Sequence, residues 1–236
     1  ELDNVFDIYS KVNLLNKPFS LKKFNLKELF IKIDRTYKIY DEPHFHYSPE
    51  IINIPEHCFI RGYWQSEIYF KEFTNEIKNI FTFDKPLNKE NDKIAKNIIN
   101  NKSVSIHIRR GDFLLKRNQK HLVDLTKYYS DAIKVVSKNL TNPKFFIFTD
   151  DFDWVSKNNL IESNYVFVRI NQEKNSFLDM QLMSLCDVNI IANSSFSWWS
   201  AWLNNKRDKS IFAPKNWFSD PSIITDDLIP KSWNKI

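Results

Sequence analysis

The chain predicts an α/β fold built on a parallel sheet, and three observations lead there. From residue 103 onward, strand-length apolar runs alternate with helix-length amphipathic segments. Two of those runs end in clusters of His, Arg, Asp and Ser, as the carboxyl edge of a ligand-binding parallel sheet would. With 42% hydrophobic and 15% aromatic residues, the 236-residue chain can build a sizeable core.

The first part of the chain carries fewer signals. The opening ELDNVFDIYS has no basic start and no apolar signal core, and it lacks Met, which predicts a fragment or a trimmed chain. In segment 19–33, Phe24, Leu26, Leu29, Phe30 and Ile33 suit a short helix or a pair of strands, and the pattern leaves both open. Pro43, Pro49 and Pro55 mark loop and edge backbone. His44, His46 and His57 lie near them, but no Cys or carboxylate repeats at ligand spacing, so a metal site is not expected.

From Cys58 to Phe70 the character changes, with Phe59, Tyr63 and Trp64 crowded around Gly62. From the residues alone the favoured reading is a core strand with a bulge at Gly62. The functional reading is a wall for a sugar, with Trp64 to stack on apolar C–H edges and Gln65 to hydrogen-bond. Phe73, Ile77 and Phe81, at i, i+4 and i+8, predict a helix over 70–83. The polar run 84–92, with Pro86, predicts a linker or boundary, and a short helix to Asn100 follows.

The second part is regular. Val104, Ile106 and Ile108 alternate with Ser103, Ser105 and His107, the period of a strand, which breaks at Gly111 where a tight turn is most easily made. After a loop over 109–124, a helix is expected over 126–140 and a buried strand over 144–149. Thr149, Asp150 and Asp151 end that strand and can cap a helix reaching about Asn159. Strands follow at 164–170, 188–193 and 210–214, with helices at 176–186 and 194–204. Alternation of this kind implies parallel strands with helices on both faces.

Net charge is 34 − 29 = +5 with His neutral, and the isoelectric point is about 9.0. A basic chain favours acidic ligands, but the charge is scattered and no Lys/Arg block stands out, so nucleic acid is not an expected partner. No apolar run approaches a membrane span. Two isolated cysteines, Cys58 and Cys186, fit a reducing compartment and hence a cytoplasmic protein.

Two strand ends carry the chemistry. After 103–108 come Arg109, Arg110, Gly111 and Asp112, and Arg is the side chain best shaped to grip phosphate. The alternative is an edge strand with solvated charges. After 188–193 come Ser194, Ser195 and Phe196, opening an aromatic-rich helix whose free N–H groups and dipole favour an anion. One of those serines can also act as a simple cap, which is compatible with anion binding. Two glycines cannot supply a Walker loop or G-x-G-x-x-G. Asp151 and Asp153 spell D-x-D, a metal-holding pattern in many glycosyltransferases, but they sit at a helix start where carboxylates are favoured anyway, and capping is the preferred reading.

HIRRGD (107–112), GYWQSEIYF (62–70), FTDD (148–151) and LDMQLMSLCDVNIIANSSFSWWSAWLNN (178–205) together resemble glycosyltransferase family 11, the α-1,2-fucosyltransferases, over roughly residues 55–218. The resemblance implies a GT-B-like α/β protein. Residues 1–100 would be the remainder of an incomplete N-terminal acceptor-side domain, and 101–236 a C-terminal Rossmann-like domain that binds GDP-fucose. It implies inverting transfer of L-fucose from GDP-β-L-fucose to the 2-hydroxyl of a galactoside, with no cofactor besides the donor substrate and no metal. By position, Arg109 would bind the donor's β-phosphate, His107 would lie near the nucleoside, and Asp179 would accept from guanine. Asn193, Ser194, Ser195 and Phe196 would hold the pyrophosphate. Asp112 would order the loop and is the candidate base ahead of His121, while Tyr63, Trp64 and Gln65 would face the acceptor. The expected partners are a nucleotide-sugar donor and a glycan acceptor. A glycolipid acceptor would bring the protein to the inner face of the membrane without a span.

The family's glycine-rich G-G-L-G-N-Q segment does not occur here. That predicts a fragment, or a protein that has lost part of its cleft. The rival expectations are a related transferase with another sugar or acceptor and a non-catalytic GDP- or glycan-binding remnant. A nucleic-acid binder has only the isoelectric point behind it.

Overall fold

The computed structural model describes residues 38–236 except 56–57, 84–85 and 162–163. Segment 19–33 and His57 therefore lie outside the described residues. Strands β1 (Lys38–Asp41) and β2 (Cys58–Arg61) pair in parallel as a small separate sheet.

The core strand expected over 58–70 is corrected here. Strand β2 stops at Arg61, Tyr63 is exposed, and Trp64 lies in the left-handed region at φ 49°. The cause is Glu42, whose carboxylate accepts from the N–H groups of Tyr63 at 2.6 Å and Trp64 at 2.9 Å and so draws the backbone out of extended geometry. A Cβ on Gly62 would stand 2.3 Å from the Cβ of Glu42. The glycine therefore permits a close approach and does not mark a bulge.

The helix expected over 70–83 is shorter. Two 3₁₀ turns, Glu67–Tyr69 and Lys71–Phe73, lead into α1 (Thr74–Ile80). Helix α2 (Lys89–Ile99) starts at Asn88, whose Oδ1 accepts from the Asn91 N–H at 2.9 Å, and it buries Asn91, Ala95 and Ile98 at helical spacing.

The main sheet comprises β3 (Ser103–Ile108), β4 (Lys144–Thr149), β5 (Tyr165–Phe167), β6 (Val188–Ile190), β7 (Ser210–Ala213) and β8 (Asn234–Lys235). All five pairings are parallel, in the order β5-β4-β3-β6-β7-β8. Strand β8 has no periodic signal in the sequence; it forms because the chain end lies along β7. The connecting helices are α3 (Thr126–Asn139), α4 (Phe152–Asn158), α5 (Ser176–Ser184) and α6 (Ser195–Trp202). From β3 the chain steps outward to β4 and β5, then returns to place β6 on the other side of β3. This reversal makes a switch point, and the crevice of such a sheet opens there, beyond the carboxyl ends.

The alternation in β3 has an unexpected meaning, because all six of its residues are buried. Val104, Ile106 and Ile108 pack with Ala132, Ile133 and Val136 of α3. The serines of the polar face are satisfied internally: the Ser103 hydroxyl lies 3.3 Å from Asp187 Oδ2, Asn189 donates to the Ser105 hydroxyl at 2.7 Å, and Asn204 donates to the Asn189 side-chain Oδ1 at 2.9 Å. A central strand can carry serines only where such partners are supplied. On that same side Phe146, Phe148, Leu182 and Met183 pack with Ala95 and Ile98 of α2. A third cluster gathers Trp198, Trp202, Trp217 and Phe218. Among the described residues no helix is long and apolar enough to cross a membrane.

Candidate active site

A cavity of about 770 Å³ lies at the carboxyl edge of the sheet, at the switch point. Its lining includes His107, Arg109 and Asp112 after β3, Thr149 and Asp150 after β4, Asn171 and Asp179 around α5, and Asn193 to Phe196 after β6. The two strand ends singled out in the sequence therefore face one space. Tyr63 and Gln65 also line it, whereas Trp64 lines a second cavity of about 210 Å³ with Phe70, Trp198 and Trp199. Tyr63, Gln65, Ser195 and Trp217 border both spaces.

Arg109 is held by two carboxylates. Its Nη1 lies 2.8 Å from Asp150 Oδ2 and its Nη2 lies 2.8 Å from Asp112 Oδ1. The contact with Asp112 is charge against charge without a well-directed hydrogen bond. Asp112 is itself steadied by Asn118, whose amide donates to the Asp112 carbonyl at 2.9 Å. Arg110 faces away from the cavity, with its Nε 3.2 Å from Asp151 and its guanidinium 4.4 Å from the centre of the Trp154 ring.

Gly111 is the turn residue foreseen, but for another reason. Its φ is −37°, which any residue adopts. A Cβ there would stand 2.8 Å from Asp150 Oδ2. A side chain at this position would displace the Asp150 carboxylate.

His107 is buried, and the Tyr129 hydroxyl donates to its carbonyl at 3.0 Å, fixing the end of β3. Burial pushes its imidazole down to about 4, with Asp150 opposing, so the ring is neutral at physiological pH. Its Nδ1 has no partner among the described residues. The ring packs 5.5 Å from that of Phe196.

Burial raises Asp179 to about 7, an effect partly offset by the Asn171 amide, which donates to Oδ1 at 2.7 Å. Burial also lowers His121, whose ring stands 5.3 Å from Phe113 and 5.2 Å from Phe218. Asn193 spends its amide N–H groups on the carbonyls of His121 and Trp217, both at 2.8 Å, so it ties the loop after β3 to the start of α6. The Ser194 hydroxyl does not cap α6, so it leaves the first-turn N–H groups unengaged, and Ser195 and Phe196 of that turn line the cavity. By contrast, Asp151 does cap α4, accepting from the Trp154 N–H at 3.0 Å.

Asp150, Asn171 and Arg169 also line the cavity; the sequence reading gives Asp150 only as a possible cap and names none of the three as a site residue. Asp150 carried a usable signal, since it follows a buried strand on the same edge as Arg109. The strand expected over 164–170 ends at Phe167, which places Arg169 and Asn171 in the loop that follows. His44 and His46 stack on each other 3.4 Å apart, away from the cavity lining.

The arrangement offers a fixed cation, a helix N-terminus, a buried carboxylate and a neutral imidazole around one space. Such a set suits a nucleoside diphosphate.

Residues 5–236 match the model of glycosyl transferase family 11. The chain is 38% identical over 180 residues to an alpha-1,2-colitosyltransferase of Escherichia coli, covering 74% of this chain and 61% of that protein. It is 38% identical over 122 residues to the O-antigen biosynthesis glycosyltransferase WbnK of Escherichia coli, covering 51% and 40%. To galactoside alpha-(1,2)-fucosyltransferase 1 of Ateles belzebuth it is 23% identical over 154 residues, covering 61% and 42%. The chain spans less than two thirds of the length of these curated relatives.

Proposed function

The chain belongs to glycosyl transferase family 11, and from that premise we propose that it transfers L-fucose from GDP-β-L-fucose to the 2-hydroxyl of a galactoside, inverting the anomeric centre. One observation carries this reading: Arg109 and the uncapped start of α6 border the same cavity, each able to face a pyrophosphate.

The bond from the anomeric carbon to the β-phosphate oxygen breaks, and GDP leaves with the electron pair. Charge growing on that phosphate meets Arg109 and the N–H groups of Ser195 and Phe196, which are already in place and need no reorganisation. Asp112 and Asp150 hold the guanidinium against rotation. Asp179 accepts from the guanine edge, and neutral His107 lies against the nucleoside without adding charge. The acceptor oxygen attacks from the opposite face, next to Tyr63 and Gln65, and its proton passes to Asp112. The anomeric centre is cationic in character at that moment, so a strong base is not obligatory. His121, whose ring lines the same cavity, is the alternative proton acceptor, and burial makes it the weaker base.

A second reading keeps the reaction and replaces fucose by colitose, its 3-deoxy analogue; similarity to the colitosyltransferase favours it. The acceptor would be a bacterial surface glycan, and a lipid-linked one would bring the protein to a membrane surface. Incubation with GDP-fucose or GDP-colitose and a galactoside, with the product linkage read by NMR, tests both. Release of GDP without a new α-1,2 linkage would refute transfer, and absence of GDP binding would refute the site.

A further inference from the structure

Behind Asp179 runs a chain of amides in which each donor is accounted for. The Asn171 Nδ2 group donates to Asp179 Oδ1 at 2.7 Å and to Asn91 Oδ1 at 2.7 Å. The Asn91 Nδ2 group donates to Asn171 Oδ1 at 2.9 Å and to Asn88 Oδ1 at 3.0 Å. Both hydrogens of each amide are thus used. Reversing either amide would set oxygen against oxygen, so the network has one polarity. That polarity always presents a donor to Asp179. Asn91 is 1% exposed and sits on α2, in a separate segment of the chain from the sheet it packs against. Its amide also lies outside the cavity lining, and nothing in the proposed chemistry uses it.

We propose that Asn91 is a positioning residue for nucleobase selection: through Asn171 it fixes the plane of the Asp179 carboxylate, and the fixed plane is what distinguishes guanine from bases lacking the exocyclic amine. This rests on the reading of Asp179 as the guanine acceptor. Recognition of an N1–H and an amine together requires a carboxylate whose two oxygens stand in a set direction. A carboxylate free to rotate accepts from N1–H alone almost as well, and so loses discrimination before it loses affinity. Asn171 supplies the constraint directly. Asn91 supplies it at one remove, because an Asn171 without its buried partner can turn its amide to solvent.

The test is calorimetric titration with GDP and with IDP, whose base keeps N1–H and lacks the amine. In Asn91→Ala and in Asn171→Ala the preference for GDP over IDP should fall about tenfold, as expected for losing the orientation of one charge-assisted hydrogen bond. Binding of inorganic pyrophosphate should stay within about twofold, since the phosphate-facing groups are untouched. In an Asp179→Asn background, Asn91→Ala should cause no further loss of preference. Full discrimination retained in Asn91→Ala while Asp179→Asn abolishes it would overturn the proposal and leave Asn91 a structural anchor of α2. Should Asn91→Ala not fold, Asn91→Ser takes its place, since it fills part of the volume and removes the amide pair with Asn171. Discrimination retained in Asp179→Asn is a separate result: it removes the guanine reading itself and the relay with it.

Discussion

Arg109→Ala is the sharpest test of the proposed chemistry, because the structure separates its effect on rate from its effect on folding. The side chain is 37% exposed and makes two ion pairs at 2.8 Å. Pairs at that exposure contribute about 0–1 kcal/mol each. For a domain of this size, each kcal/mol shifts Tm by about 2–4 °C. The variant should therefore fold, with Tm lowered by a few degrees at most. The rate effect is larger. A guanidinium about 4 Å from a full charge, at an effective dielectric near 20, interacts by about 4 kcal/mol. Part of the diphosphate charge is present before bond breaking, so only the increase counts toward the barrier. The remainder falls near the lower end of the range for one preorganised donor, about 2.7–4 kcal/mol or about 10²–10³ in kcat. Arg109→Lys should recover part of it, since a point charge cannot hold Asp112, Asp150 and a phosphate at once. Arg110→Ala is the control: it removes the contact with Asp151 and Trp154 and should leave GDP affinity nearly unchanged. Single-turnover rates and GDP titrations of the three variants, with Tm measured alongside, decide the matter. If Arg110→Ala abolishes GDP binding while Arg109→Ala leaves rate and affinity intact, the site assignment fails.

Asp179 predicts a pH dependence with opposite signs for folding and binding. With its carboxyl near 7 when folded and near 3.8 when unfolded, the folded chain holds a proton over that window that the unfolded chain has released. Its contribution to stability therefore falls as pH rises from about 4 to 7. GDP affinity should rise through pH 7 as the carboxylate forms, and Asp179→Asn should flatten both trends. His107, at about 4 when folded and 6.5 when unfolded, should cost stability as pH falls through that window, which denaturant titration of His107→Gln would reveal as a shallower acid slope. Activity should survive EDTA, because Asp151 spends one oxygen on the Trp154 N–H and the other on Arg110; complete loss restored by Mn²⁺ or Mg²⁺ would reverse the reading of the D-x-D. Gly111→Ala should lower kcat about tenfold or more by pushing Asp150 off Arg109, and a variant of wild-type rate would show that the crowding at 2.8 Å is relieved elsewhere.

Local chemistry determined the parallel α/β plan, the order of its strands and helices in the chain, and the two strand ends that carry Arg109 and Ser194–Phe196. Periodicity and turn residues act over a few positions, and a parallel sheet brings its carboxyl ends together whatever the loops do. Asp151 as a helix cap was legible for the same reason, since a cap reaches only three residues ahead. Other features depended on partners far away in sequence. The irregular wall at Tyr63–Gln65 is made by Glu42, and the burial of Ser105 by Asn189 and Asn204. The crowding at Gly111 comes from Asp150, and the orientation of Asp179 from Asn171 and Asn91. Strand β8 waited on β7 as a template. Each of these depends on segments that meet only in the folded chain. No local pattern encodes such a contact, because its energy exists only once the chain has brought the two partners together.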